Sequence, residues 1–139
     1  MTLNTKQLAT KLKIESLSSV IGIDPTWAVS IAMAESSLGL NQKSPTGCRG
    51  VFQMSSIAMK DLLLEMEKSD DDLIDLLCGM LFLRLLLSRH GSIEKATSYF
   101  CDPKDRPFYI VKVLNYMKSF MNESEEDRLK IKQSQESNV

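Results

Sequence analysis

Three cysteines and one histidine are all that 139 residues offer in thiols and imidazole, beside four prolines, six glycines, five Phe, three Tyr and one Trp. Cys48, Cys78 and Cys101 form neither a CxxC pair nor an even-numbered framework, so reduced thiols in a fold independent of disulfides are expected. With His90 the sole histidine, a Cys/His metal centre is not expected. Charge of one sign is missing too. Seventeen Lys and Arg stand against eighteen Asp and Glu, a formal charge of −1, which leaves no global field to hold nucleic acid or an anionic membrane surface. A long apolar run is also lacking. The stretch from Leu73 to Leu87 is interrupted by Asp75, Gly79 and Arg84 and falls short of the ~20 residues that cross a bilayer. It reads as a buried central helix, with no stable membrane insertion. Lys6, Lys11, Lys13 and Glu15 interrupt the region where a secretory signal needs continuous apolar residues, so none is expected.

What the chain does contain is an ordinary globular composition, 43% apolar and 25% charged, enough for one domain with a core. An all-α arrangement of roughly six helices is predicted. The first runs from Thr5 to Ile21, with Leu8, Leu12, Leu17, Val20 and Ile21 at helical spacings, and Gly22 breaks it. Asp24 and Pro25 supply a cap and a first-turn proline for a second helix, whose end Gly39 marks. GLNQKSPTGCRG, residues 39–50, is a polar loop of about a dozen residues, a length that often carries function. Further helices are predicted over Ser55–Glu67, Asp72–His90, Ser92–Tyr99 and Phe108–Met121, the last with Ile110, Val111, Leu114, Met117 and Met121 on one face. These make a single domain over 1–121. Residues 122–139 are charged or amidic with two isolated aliphatics, and weak order is expected there.

One carboxylate stands out. Trp27, Ile31 and Glu35 lie four residues apart, with Ala28 and Ala32 beside them, so Glu35 emerges from an apolar stripe. Desolvation and the negative end of the helix dipole both disfavour its charged form, and a raised pKa is expected. An acid protonated near neutral pH suits proton donation to a glycosidic oxygen. Spacing alone favours a boundary glutamate that reaches water past Leu38, the commoner situation for a charged side chain.

The run AESSLGLNQKSPTGCRGVFQM resembles the signature of the lysozyme-like lytic transglycosylase family, a Glu-Ser pair closing a helix and then Ser-x-x-Gly-x-x-Gly-hydrophobic-hydrophobic-Gln. The matching positions are Glu35, Ser36, Ser44, Gly47, Gly50, Val51, Phe52 and Gln53. Asp24 and Pro25 are similar to the family's lead-in to that glutamate, Gly79, Phe82 and Leu83 to its long central helix, Tyr99 to the start of its Tyr-Asn motif, and Tyr109 with Val113 to its closing helix. Where the family continues with Asn and Gly, this chain has Phe100, Cys101 and Asp102.

The resemblance implies a lysozyme-like helical domain, around a central apolar helix, that cleaves the β-1,4 bond between N-acetylmuramic acid and N-acetylglucosamine in peptidoglycan. By that likeness Glu35 is acid and then base, the muramyl 6-hydroxyl attacks the anomeric carbon, and a 1,6-anhydro end results without metal or cofactor. Ser36 would orient Glu35. Ser44, Gly50, Val51, Phe52 and Gln53 would hold an N-acetyl sugar, and Tyr99 would hydrogen-bond the glutamate. Cys48, where a small residue is common in the family, reads as a small apolar substitute rather than a nucleophile.

A hydrolytic muramidase commonly needs a second carboxylate. The 39–50 loop contains none, and Asp102 and Asp105 are the candidates elsewhere. A non-catalytic glycan-binding or structural component is the other alternative. Because murein lies outside the cytoplasmic membrane, the expected setting is a bacteriophage, with the chain in the virion or the host cytoplasm, acting in the periplasm, and with glycan strands and other virion proteins as partners.

Overall fold

The structure, a computed structural model, describes residues 1–122 and 125–137. Those residues form seven α-helices and one short 3-10 helix with no strand among them, so the fold is all-α. No described helix is long and apolar enough to cross a membrane. The chain divides into two compact units, Met1–Leu76 and Leu77–Val139, where the sequence predicts one domain over 1–121.

The first unit opens with α1 (Thr5–Ile21), held at its start by a capping box. The Asn4 side chain accepts from the Gln7 N–H at 2.8 Å while the Gln7 side chain accepts from the Asn4 N–H at 3.0 Å, satisfying two donors that a helix start leaves unpaired. Gly22, at φ 83°, closes it. In α2 (Pro25–Ser36) the Asp24 carboxylate accepts from Thr26 and Trp27 N–H groups, with Pro25 in the first turn. Gly39 does not mark the end of this helix. The chain turns left-handed already at Ser37 (φ 54°) and Leu38 (φ 56°), and Leu38, 1% exposed, is the residue that this early turn drives into the core.

That core consists of Ile14, Ala28, Ala32 and Leu38, with Leu3, Val29, Met33 and Val51 packed against it. The face of α1 inside it is not the predicted one. Leu8, Leu12, Leu17 and Val20 are exposed, while Gln7, Ile14 and Ser18 are buried. Alanines on α2 allow a close approach that favours the small Ser18 and the slender Ile14 over leucines. Gln7 is satisfied there, because its Nε2 donates to the Ser37 carbonyl at 3.2 Å and the Ser37 hydroxyl at 3.3 Å. Then follow the 39–55 loop and α3 (Ser56–Lys68), capped by the Ser55 hydroxyl.

The division between units falls inside α4 (Asp72–His90), which the Asp71 carboxylate caps through the Leu73 N–H at 2.8 Å. The sequence predicts this helix to be buried and central. Only Leu86 is buried, and Leu76, Met80, Leu81, Leu83 and Leu85 are exposed. Leucines on all sides give α4 no single stripe to offer a neighbour, so partial cover leaves most of them outside.

In the second unit α5 (Ile93–Phe100) packs on α6 (Arg106–Met121), joined by a 3-10 turn at Pro103–Asp105. Ala96 is buried, and the half-buried side of α6 is Arg106, Tyr109, Ile110 and Val113. Of the predicted apolar face, Val111, Leu114, Met117 and Met121 are exposed. Arg106 donates from Nε to the Ser98 carbonyl at 2.9 Å, which selects the inward side. The polar stretch expected to have weak order carries α7 (Glu125–Ser137), whose Glu, Arg, Lys and Gln favour helix and which has no Gly or Pro to stop it.

Candidate functional site

Ser36 is the hinge of the candidate site. Its side chain is buried, its Oγ donates to the Val51 carbonyl at 2.6 Å, and the same oxygen accepts from the Gly39 N–H at 2.8 Å. One hydroxyl thereby joins the end of α2, the start of the loop and its return fifteen residues on. A buried serine with both functions used is costly to replace. The resemblance assigned Ser36 to orienting Glu35; what its hydroxyl holds is the loop.

Gly39 lies under this latch at φ 90°, and a Cβ there would sit 3.4 Å from Val51 Cγ2. Val51 packs on the core, so the return of the loop is anchored both by its hydrogen bond from Ser36 and by apolar packing. Further along, the Ser44 and Thr46 hydroxyls are 2.9 Å apart, and Ser44 Oγ also accepts from the Thr46 N–H. Ser44 thus shapes the turn from within. The loop returns through an isolated antiparallel bridge, with Arg49 N–H to Met54 carbonyl at 3.0 Å and Met54 N–H to Arg49 carbonyl at 2.9 Å.

Gln53 is the last residue of that turn, at φ 49°. Its Nε2 donates to the Gln42 carbonyl at 3.0 Å and the Gly50 carbonyl at 2.8 Å. Of the two ends of the amide only the NH2 can donate to carbonyl oxygens, so Oε1 is directed elsewhere and stays free to accept from a ligand N–H or hydroxyl. Phe52, next to it, is exposed, and Val51 and Gly50 are partly buried. The expected sugar-binding segment 50–53 is therefore one tight turn.

Glu35 is placed at the head of this loop by the last turn of α2, one residue before the latch. Glu35 is exposed, as a boundary glutamate that reaches water would be, and so are Trp27 (61%) and Ile31 (42%) on the stripe from which it was expected to emerge. The reason is rotational. Ala28, Ala32 and Ser36, one residue on and so about 100° round the helix, take the inward face. Within its own unit the Glu35 carboxylate meets no hydrogen-bond or ion-pair partner.

Tyr99 belongs to the second unit and is engaged there. His90 stacks on it with ring centroids 3.9 Å apart and planes 2° from parallel, and Arg106 Cζ lies 4.6 Å from its centroid. Neither His90 nor Arg106 was singled out for this role, and only their spacing around Tyr99 in the folded unit reveals it. Asp102, a candidate second carboxylate, caps the 3-10 turn by accepting from the Lys104 N–H at 3.0 Å, while Asp105 makes no side-chain cap bond. Cys48 is a free, partly buried thiol 3.5 Å from the Thr46 hydroxyl. Among the described residues no cluster of His, Cys, Asp or Glu is placed to hold a metal ion. No family model, no curated protein and no solved structure matches the chain.

Proposed function

We propose that the chain is a peptidoglycan lytic transglycosylase that cleaves the bond between N-acetylmuramic acid and N-acetylglucosamine with Glu35 as its one catalytic carboxylate. The observation that carries this reading is the Ser36 latch, which fastens the helix end bearing Glu35 to the 50–53 turn through a 2.6 Å hydrogen bond. A carboxylic acid beside a turn with a free amide oxygen is suited to protonate a leaving glycosidic oxygen while an N-acetyl sugar is held. Gln53 Oε1 accepts from the acetamido N–H, Phe52 offers an apolar ring face, and Glu35 donates its proton to the departing oxygen and then takes one from the muramyl 6-hydroxyl as that oxygen closes on the anomeric carbon. Atoms balance without water. The setting that goes with this reading is a bacteriophage particle or its host's cytoplasm, with the wall as the site of action.

The exposure of Glu35 favours a second reading, in which the same turn binds glycan without cutting it. Clearing of purified murein separates the two. The wild type clears it and Glu35→Gln does not if the first reading holds; glycan binding with no clearing by either protein establishes the second.

A further inference from the structure

The 46–54 turn has a second side. Between it and the first two turns of α3 lies an open cleft of about 760 Å³, walled by Gly47, Gly50 and Met54 on the turn and by Met59, Lys60 and Leu63 on α3, with Arg49 at its edge. We propose that this cleft binds a short acidic peptide, the stem that branches from a peptidoglycan strand, with its carboxylate on Arg49 and Lys60 and its small apolar side chains on Met54, Met59 and Leu63. This assignment rests on the murein reading above.

Charge is the first ground. Arg49 and Lys60 both line the cleft, and among the described residues neither is in an ion pair. The acidic residues of α3 do not neutralise them from within: Ser56, Met59, Lys60 and Leu63 are the cleft-lining positions, and Asp61 and Glu65 are not among them. Two cations without an ion-pair partner, Arg49 on the turn side and Lys60 on the α3 wall, attract an anion into the cleft, and an arginine fork adds geometric preference for a carboxylate.

Shape is the second. Residues paired across an antiparallel bridge project to the same side, so Arg49 and Met54 stand together. The cation thus has a thioether beside it, with a leucine and a second methionine opposite. Such a lining suits a ligand with an apolar body better than a bare inorganic ion. Gly47 and Gly50, at φ 79° and 81°, have nothing within 4 Å of where a Cβ would sit, which leaves room for a peptide main chain to come close.

Position is the third ground. Gly50 belongs both to this cleft and to the turn proposed to hold the sugar. A glycan lying on one side of the turn would carry its peptide branch to the other.

The test is calorimetric titration of the whole protein with a free murein tetrapeptide, the same peptide with its carboxylates amidated, tetra-N-acetylglucosamine, and acetate. The tetrapeptide is expected to bind, and to bind about tenfold more weakly both when amidated and when the protein carries Arg49→Gln with Lys60→Gln, a loss that corresponds to about 1.4 kcal/mol. Both side chains are exposed, so the double variant keeps its fold, which circular dichroism checks. Binding indifferent to the variant or to amidation overturns the proposal. So does acetate that competes as well as the peptide, which marks a simple anion site. Failure of the murein reading is seen separately: a tetrapeptide that binds while the oligosaccharide does not removes the glycan and leaves the cleft assignment standing.

Discussion

The α1–α2 pair and the α5–α6 pair bury their helices by different means. The first brings Ala28 and Ala32 against Ile14 and Leu38 and adds directed hydrogen bonds, with Gln7 donating to Ser37 and Ser36 donating to Val51 and accepting from Gly39. In the second, Ala96 is buried, the cover comes from rings, and one guanidinium ties Arg106 to Ser98 and Tyr99. Phe82, Phe100 and Tyr109 continue that ring cluster at centroid distances of 5.9 and 6.5 Å. Small residues with directed hydrogen bonds specify one approach between helices. Rings and leucines specify contact without fixing which side of a helix makes it, and α4 shows the consequence in its row of exposed leucines.

Substitutions at the first pair should therefore cost more than larger-looking changes in the second unit. Ala32 is fully buried, so Ala32→Leu overpacks the contact and is expected to lose about 1–3 kcal/mol, read from chemical denaturation. Leu81→Ala, at a position 55% exposed, should change stability by less than about 0.5 kcal/mol; an equal cost at the two sites would break the comparison. Ser36→Ala leaves the Gly39 N–H and the Val51 carbonyl unpaired and should cost about 1–3 kcal/mol. Hydrogen exchange should speed up across 39–53 in that variant, with the second unit's amides unchanged. Gly39→Ala places a Cβ at φ 90° and is expected to cost about 1–2 kcal/mol. Smallest is Tyr99→Phe, which keeps the stack with His90 and the guanidinium contact and should leave unfolding unmoved, while Tyr99→Ala loses roughly 1 kcal/mol.

The same contrast explains what could be read from the sequence. Helix starts near Thr5, Pro25, Ser55, Asp72 and Ser92 were legible from apolar spacing and, at Asp24, from the cap itself, and the structure shows Asn4, Ser55, Asp71 and Ser92 capping the other four with side chains that accept from the following N–H groups. Faces were not, because Leu8, Leu12 and Leu17 look more apolar than Gln7, Ile14 and Ser18 until Ala28 and Ala32 are seen to demand small partners. The early end of α2 was hidden for a similar reason: Gly39 is the obvious left-handed residue, yet the core gains Leu38 only if Ser37 and Leu38 turn first. Ser36 at the end of α2 and the 50–53 turn are joined by one hydrogen bond, which their order in the sequence does not reveal, and the exposure of Glu35 depends on which stripe of α2 faces inward, something a spacing of four cannot decide. Arg49 and Lys60 were missed. They lie eleven positions apart, and only the Arg49–Met54 bridge sets the turn against α3.

The central claim is that Glu35, fixed beside the turn by Ser36, is the acid that opens a glycosidic bond without water. Mass spectrometry of the soluble fragments released from purified sacculi tests it most directly, comparing the wild type with Glu35→Gln. The account predicts 1,6-anhydro-muropeptides from the wild type and a loss of about a hundredfold or more in the variant, whose unfolding midpoint is unchanged because Glu35 is exposed. Reducing-end products from the wild type, or equal release by both proteins, would contradict it.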